Sequence, residues 1–335
     1  MKVSIKKISE ITGYSPATIS NALNNKRGVN KNTSAEIFKV AQELGYISEN
    51  RITKIKFVIY RKNGLVIDDT PFFSLMLDGV ERECRNLGYE MSVCNLDYRS
   101  DDYEEQLKWL LTDTSSAIIL LGTELLDDDI APYKTSKSHI LCLDYSNSDM
   151  DFDCVLINNS DSAKMATEHL IDRGHREIGY LRGSFRIKPF RSRAVGYARA
   201  LQLKDIPLNR QYTVTLSPKM EGAYSDMKEY LKKKPKLPTA FFADNDMIAL
   251  GAVKALQESG YRIPEDISII GFDDLPFSEI SSPRLTTIRV NKQEIGELAV
   301  RRIHEIIKGV GKSKLKINVC TEFIERDSVC DCRQN

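Results

Sequence analysis

No apolar stretch in this 335-residue chain is long enough to cross a bilayer. The longest runs, such as Ala117-Ile118-Ile119-Leu120-Leu121, fall far short of the roughly 20 residues a spanning helix needs. The opening Met1-Lys2-Val3-Ser4-Ile5-Lys6-Lys7 has lysines but no apolar segment behind them, so it does not read as an export signal. A cytoplasmic protein with no membrane partner is expected. The chain has only four histidines (His139, His169, His175, His304), in no metal or triad spacing, and lacks GxSxG, P-loop and GxGxxG patterns. Neither an enzyme nor a cofactor or metal is expected. Charge of one sign is missing too: 48 basic residues face 47 acidic ones, for a net charge of +1. As a total, that argues against a nucleic-acid partner. Hydrophobic residues at 41% and charged residues at 28% exclude a disordered or collagen-like chain, and the length predicts two or three domains.

The total conceals an asymmetry. Residues 1–56 hold ten basic residues and four acidic ones, a charge of +6, whereas the remainder holds 38 against 43, a charge of −5. A basic module joined to a mildly acidic body points to a polyanion for the first part only. Chance clustering of solvated lysines is the other reading. Seven cysteines are scattered along the chain, and in a cytosol they stay reduced. Cys330-Asp331-Cys332 could bind a metal or close a strained disulfide. No second Cys/His pair completes a four-ligand site in the sequence, so a mobile tail with two thiols is expected.

Residues 4–11 read as a short helix with Ile5, Ile8 and Ile11 on one face. Gly13 suits the left-handed position that ends it. Ser15 then caps a second helix, and Pro16 takes the first helical position, where a missing N–H costs nothing. Ile19 and Leu23 turn inward, and Thr18, Ser20 and Asn21 outward. A third helix, residues 31–44, starts from Asn30, places Ile37, Val40, Ala41 and Leu44 on one face, and stops at Gly45. Two short helices on a tight turn, covered by a third, form a helix-turn-helix, whose second helix enters the major groove of double-stranded DNA. The small groups at Ser15, Ala17, Thr18 and Asn21 allow that close approach. A three-helix bundle without a DNA role has the same pattern.

From Ile5-Lys6-Lys7-Ile8-Ser9 through Gly13-Tyr14-Ser15-Pro16-Ala17-Thr18-Ile19-Ser20-Asn21-Ala22-Leu23-Asn24 to Leu44-Gly45-Tyr46, the chain resembles the headpiece of lactose-repressor (LacI/GalR) family regulators. The resemblance implies that Pro16, Ala17 and Asn21 face base edges. It also implies that Ser4, Ser15, Thr18, Asn24, Asn30 and Thr33 hold phosphates or cap helices. Readout at Pro16 and Ala17 must be apolar, leaving Asn21 to hydrogen-bond a base. The linker departs from the family. Tyr46 is followed by Ile47-Ser48-Glu49-Asn50-Arg51-Ile52-Thr53-Lys54, without the Pro-Asn pair that opens the usual hinge helix. A plain tether is expected in place of a leucine wedge, although Ile52 could serve as one.

Beyond the linker, apolar runs at 55–60, 90–96, 117–121, 140–144, 155–157, 177–181, 212–216, 239–243, 267–272 and 285–290 alternate with helical patterns. The alternation predicts two doubly wound parallel-sheet lobes, with a ligand between them beyond the strand ends. Polar residues stand at those ends: Asp144, Asn158-Asn159, Asp244-Asn245-Asp246 and Asp273-Asp274, with Arg193 and Phe72-Phe73 opening helices. Carboxylates, amides and guanidinium groups grip sugar hydroxyls, and aromatic faces cover the C–H side. Either phenylalanine could equally be core, and Asp246 reads as a helix cap. The lone Trp109 reads as core.

The family resemblance extends here through His169-Leu170-Ile171-Asp172-Arg173-Gly174-His175, Arg193-Ala194-Val195-Gly196-Tyr197, Ile270-Gly271-Phe272-Asp273-Asp274 and Leu285-Thr286-Thr287-Ile288. It implies that Phe73, Arg193, Asn245 and Asp273 touch a small-molecule effector, usually a sugar. An aromatic platform carried by several members falls near Pro218 here. No leucine heptads follow Glu322-Phe323-Ile324, so a homodimer on a pseudo-palindromic operator is expected. The expected domains are a helix-turn-helix unit (1–46), a linker (47–54) and an effector-binding body (55–335). Within the body, one lobe spans 55–158 and 290–316, and the other 159–289 and 317–335. The expected function is a transcriptional repressor under effector control; a sugar-binding protein without a regulatory role is the alternative.

Overall fold

A computed structural model describes residues 4–23, 29–44, 46, 52–68, 71–149, 151–310 and 313–334. Asn24, Gly45, Thr70 and linker residues 47–51 lie outside them. Contacts divide the chain into two compact units, Met1–Thr53 and Lys54–Asn335.

The first unit consists of α1 (Ile5–Thr12), α2 (Pro16–Leu23) and α3 (Lys31–Glu43). Ile8, Ile19, Ala22, Ile37 and Ala41 form its core, with Leu23, Val40 and Leu44 packed against it. Ile11 does not join them and is 51% exposed. Six residues after Ile5, at about 100° each, it has turned about 240° around the helix and faces water. Gly13 ends α1 at φ 75°, in the left-handed region its sequence position calls for. The Ser15 Oγ accepts the Thr18 N–H at 3.1 Å and so caps α2, as Asn30 Oδ1 accepts the Asn32 N–H at 2.9 Å ahead of α3.

The second unit begins with β1 (Lys54–Arg61), α4 (Phe72–Leu87), β2 (Glu90–Asp97), α5 (Tyr103–Thr112), β3 (Ser116–Leu121), a 3-10 segment (Asp127–Thr135), β4 (Ile140–Leu143) and β5 (Asp153–Ile157). It continues through α6 (Asn159–Asp172), β6 (Ile178–Gly183), α7 (Lys188–Leu203), β7 (Thr213–Leu216), α8 (Met220–Lys232), β8 (Ala240–Ala243), α9 (Asp246–Gln257) and β9 (Ser268–Ile270). It closes with α10 (Pro276–Ile280), β10 (Thr287–Arg289), α11 (Lys292–Ile307), β11 (Lys316–Val319) and β12 (Glu322–Ile324). The strands form a six-stranded parallel sheet, β11-β5-β4-β3-β1-β2, and a four-stranded one, β7-β6-β8-β9. Every residue of β3 is buried, as a central parallel strand covered on both faces requires. β10 and β12 pair antiparallel as a separate ribbon.

The chain thus passes between the sheets three times: into α6, back through β10 into α11, and out again after β11. Pairing of β11 with β5 carries the first sheet to Val319, three residues beyond the expected 316. The buried pair of Arg302 and Asp153 (Nη2 to Oδ1 2.6 Å) anchors this return, and Asp153 also accepts the Leu315 N–H at 3.0 Å. The helices α4 and α11 lie so close that a Cβ on Gly79 or Gly296 would overlap the facing carbonyl of Gln293 or Met76.

Two other expectations are corrected. Trp109 is 59% exposed: Tyr103, Leu107 and Leu110 turn toward the sheet, and the Trp109 ring lies outside with Lys56 Nζ 3.6 Å from its centroid. The C-terminal tail is not loose either, since Cys330 N donates to Ser268 Oγ (3.0 Å) and Cys332 N to the Arg173 carbonyl (2.8 Å).

Candidate functional site

A cleft between the two sheets is lined by Val66, Phe72, Phe73, Thr123, Asp144, Ile187, Pro189, Phe190, Arg193, Asn245 and Asp273. All six residues expected at an effector site from the sequence, Phe72, Phe73, Asp144, Arg193, Asn245 and Asp273, therefore meet in one place. They converge because parallel strands aim their carboxyl ends at the same crevice. Asp144 follows β4, Asn245 caps α9 after β8, and Asp273 follows β9. Asp144 (φ 59°) and Asp273 (φ 118°) both adopt left-handed backbone, which an L-residue keeps only where its surroundings enforce it.

Thr123 Oγ1 donates to Asp144 Oδ2 at 2.8 Å, while Asp144 Oδ1 has no hydrogen-bond partner among the described residues. Asp273 Oδ1 is also without one, its nearest cation being Arg193 Nη2 at 3.4 Å. Burial raises the pKa of both carboxyls to about 6, with Thr123 and Arg193 opposing the shift at Asp144, and Arg193 and Lys292 opposing it at Asp273. Arg193 is held from several sides. Its Nε donates to Asn159 Oδ1 at 2.8 Å, its Nη1 to the Asp244 carbonyl, and its guanidinium lies 3.6 Å from the Phe272 ring centroid. Asn245 spends its Oδ1 on the Ile248 N–H (2.9 Å), so its amide NH₂ is the group left for a ligand. Lys188 links α7 to the other half of the body, donating to the Ser146 carbonyl at 2.7 Å and pairing with Asp127. These side chains leave a cavity of only about 30 Å³, room for about two waters.

Asp246 is not the helix cap the sequence suggested; Asn245 is. The Asp246 side chain instead accepts bonds from Leu275 N (2.8 Å), Ser278 Oγ (2.7 Å) and Thr287 Oγ1 (2.6 Å), tying α9 to the return crossing. Burial, reinforced by Asp273, raises its pKa to about 7. Three contributors escaped sequence reading. Phe190 adds a third ring to the cleft, and Lys292 donates to the carbonyls of Asp273, Asp274 and Val290 beneath it. Glu124, fully buried, accepts five main-chain N–H groups, from Lys62, Asn63 and Gly64 on one oxygen and Val66 and Ile67 on the other. It thereby shapes the loop that brings Val66 to the cleft. Pro218, where the family resemblance places an aromatic platform, does not line the cleft.

In the helix-turn-helix unit, Ser4, Ser15, Pro16, Ala17 and Asn30 are exposed, and Thr18, Asn21 and Thr33 are partly so. Pro16, Ala17, Thr18 and Asn21 all lie on α2, and Ile19 and Ala22 turn its other side into the core.

A helix-turn-helix unit, together with a body whose two sheets enclose a cleft, is the architecture of a DNA-binding regulator. Residues 4–49 match the model for bacterial regulatory proteins of the lacI family, and residues 167–329 match a periplasmic binding protein-like domain. The HTH-type transcriptional repressor PurR of Mannheimia succiniciproducens is 30% identical over 328 residues, 97% of this chain and 98% of that one. PurR of Yersinia pestis bv. Antiqua is 29% identical over 331 residues, 98% and 97% of the two chains. The chain belongs to the lacI family of bacterial regulatory proteins. Among solved structures, the transcriptional regulator CelR in complex with cellobiose superposes with a TM-score of 0.75 at 22% identity, covering 97% of this chain and 99% of that one. The lac repressor dimer bound to operator and the anti-inducer ONPF does so at 0.74 and 23%, covering 98% and 100%. Those two likenesses are of fold.

Proposed function

We propose that the chain represses transcription as a homodimer on a pseudo-palindromic operator, and that a sugar bound between the two sheets controls it. The observation that carries the sugar is the pair of buried carboxylate oxygens, Asp144 Oδ1 and Asp273 Oδ1, which have no hydrogen-bond partner among the described residues and belong to one ring-walled cleft. Such oxygens call for hydroxyl donors, and a polyol supplies them in adjacent pairs. Cellobiose in CelR and ribose in an Enterococcus faecium regulator of this family are consistent with that choice. A nucleobase is the second reading, supported by the three rings of Phe72, Phe73 and Phe190. The +6 charge of residues 1–56 separates this regulator from a plain sugar-binding protein. For the dimer, α10 offers Ile280, 79% exposed, and Phe277.

A cleft with room for two waters must widen to admit a sugar. The ligand then alters the angle between the sheets and, through a dimer, the spacing of the two DNA-binding units. It acts as a switch only if it binds one arrangement better, by about 1–3 kcal/mol. Thermal unfolding across monosaccharides, disaccharides and nucleobases tests the ligand, since only a molecule bound to the folded state raises the midpoint. A rise with a sugar that also changes affinity for a selected operator supports the proposal. A rise with nucleobases alone overturns the sugar.

On the DNA side, Asn21→Ala is expected to cost roughly 1–3 kcal/mol and to relax preference at one base pair per half-site. Binding measured across single-base operator variants checks this. A uniform loss over all variants would show that Asn21 positions the helix without reading a base.

A further inference from the structure

The fold completes a donor set that the sequence leaves in two pieces. His175, in the turn between α6 and β6, is buried and lies against Cys330 and Cys332 of the tail, 155 and 157 residues away in sequence. The ligand atoms of all three lie within 4.8 Å of one another. The sulfurs are 3.8 Å apart, and Cys332 Sγ is 3.5 Å from His175 Nδ1 and 3.7 Å from Nε2. A tetrahedral zinc ion, with Zn–S of about 2.3 Å and Zn–N of about 2.05 Å, separates two sulfur ligands by about 3.8 Å and a sulfur from a nitrogen by about 3.6 Å. The separation of the two sulfurs and the distance from Cys332 Sγ to His175 Nε2 match these values.

The surroundings are those of ligands already oriented. His175 Nδ1 is 2.9 Å from Thr239 Oγ1, and that hydroxyl donates to the Glu177 carbonyl at 3.2 Å. The Thr239 oxygen can therefore accept the Nδ1 proton, which leaves Nε2 as the coordinating atom, the usual arrangement of a metal-bound histidine. Ser268 Oγ donates to Cys330 Sγ at 3.4 Å, a bond that suits a thiolate. The Asp331 carboxylate between the cysteines is paired with Arg333 and does not compete as a ligand. The strand-start residues Thr239 and Ser268 place the cluster at the amino ends of β8 and β9, the opposite end of that sheet from the cleft.

We propose that His175, Cys330 and Cys332 form a binding site for a thiophilic divalent cation, zinc in the first instance, with a fourth position left to water. The ion clamps the C-terminal tail to the turn before β6. Because the site draws on no cleft or DNA-binding residue, it stands or falls independently of the effector.

The test uses the full-length, reduced chain loaded with zinc chloride, dialysed, and assayed for metal content. One zinc per chain is expected for the wild type and for Cys320→Ser, which alters an exposed thiol elsewhere. Loss of the metal is expected for Cys330→Ser and Cys332→Ser, and at least tenfold weaker retention for His175→Gln. A second readout needs no variant: cobalt(II) bound to the wild type must give a thiolate-to-cobalt charge-transfer band, and zinc must abolish it. No retained zinc, retention unchanged in both cysteine variants, or a cobalt spectrum without thiolate character overturns the proposal. So does recovery of the zinc-treated chain lighter by two hydrogens, with Cys330 and Cys332 joined as a disulfide.

Discussion

Glu124→Gln is expected to destabilise the body by about 3–5 kcal/mol, the largest single-residue effect argued for this chain. The carboxylate is fully buried and neutralises five main-chain N–H dipoles, with bonds of 2.8–3.2 Å. Hydrogen bonds to a charged acceptor are worth more than neutral ones, and a buried donor left without a partner costs about 1–3 kcal/mol. Glutamine fits the space, so no cavity enters the account. It presents one acceptor oxygen and one NH₂, which turns donors toward the N–H groups of two or three loop residues. The midpoint of urea unfolding should fall while the slope stays the same, because the surface exposed on unfolding does not change. A loss below about 1 kcal/mol would show that water satisfies the loop as well as the carboxylate does. Since Val66 stands on that loop, weaker ligand binding should accompany the loss.

Glu124 also marks where sequence reading stops. Alternation of apolar runs and helical patterns located ten of the twelve strands among the described residues of the body, and positions at strand ends and helix starts, together with the family resemblance, picked out six cleft residues far apart in sequence. Glu124 follows the same logic, just beyond β3, but nothing in its neighbours tells that five N–H groups from residues 62–67 converge on it. That depends on the path of a loop about sixty residues away. β11 was missed because an edge strand of Lys316-Ile317-Asn318-Val319 buries little and carries no apolar run. Trp109 misled for a related reason, since its size suggests core whereas its angular position on α5 and the Lys56 ammonium leave it outside. The linker residues 47–51, the sharpest departure from the family pattern, lie outside the described residues.

Asp273→Asn is expected to weaken effector binding by about 10–150-fold, the worth of a hydrogen bond to a charged acceptor, about 1.5–3 kcal/mol. Operator affinity without effector should hardly change. Arg193 keeps its bonds to Asn159 and the Asp244 carbonyl, and the neutral amide avoids the cost of a buried charge. The pH dependence distinguishes this role from mere packing. Burial raises the Asp144 and Asp273 pKa values to about 6, above the unfolded value of 3.8. The empty folded state therefore holds protons that the unfolded chain has released. The stability this gives is fully present below the unfolded value and is lost as pH rises through about 6. A sugar donating hydroxyls to the two carboxylates favours their charged forms and reverses the trend for binding. Effector affinity should hold above about pH 6 and fall below it, by up to about tenfold per pH unit for each of the two protons. In Asp273→Asn one of those protons is gone, and the limiting slope should halve. Titration calorimetry of the sugar found in the thermal screen, repeated from pH 5 to pH 8, measures both quantities. Equal affinity in the variant and the wild type, or the same slope in both, would remove Asp273 from the ligand's contacts and leave its left-handed backbone without a functional reason.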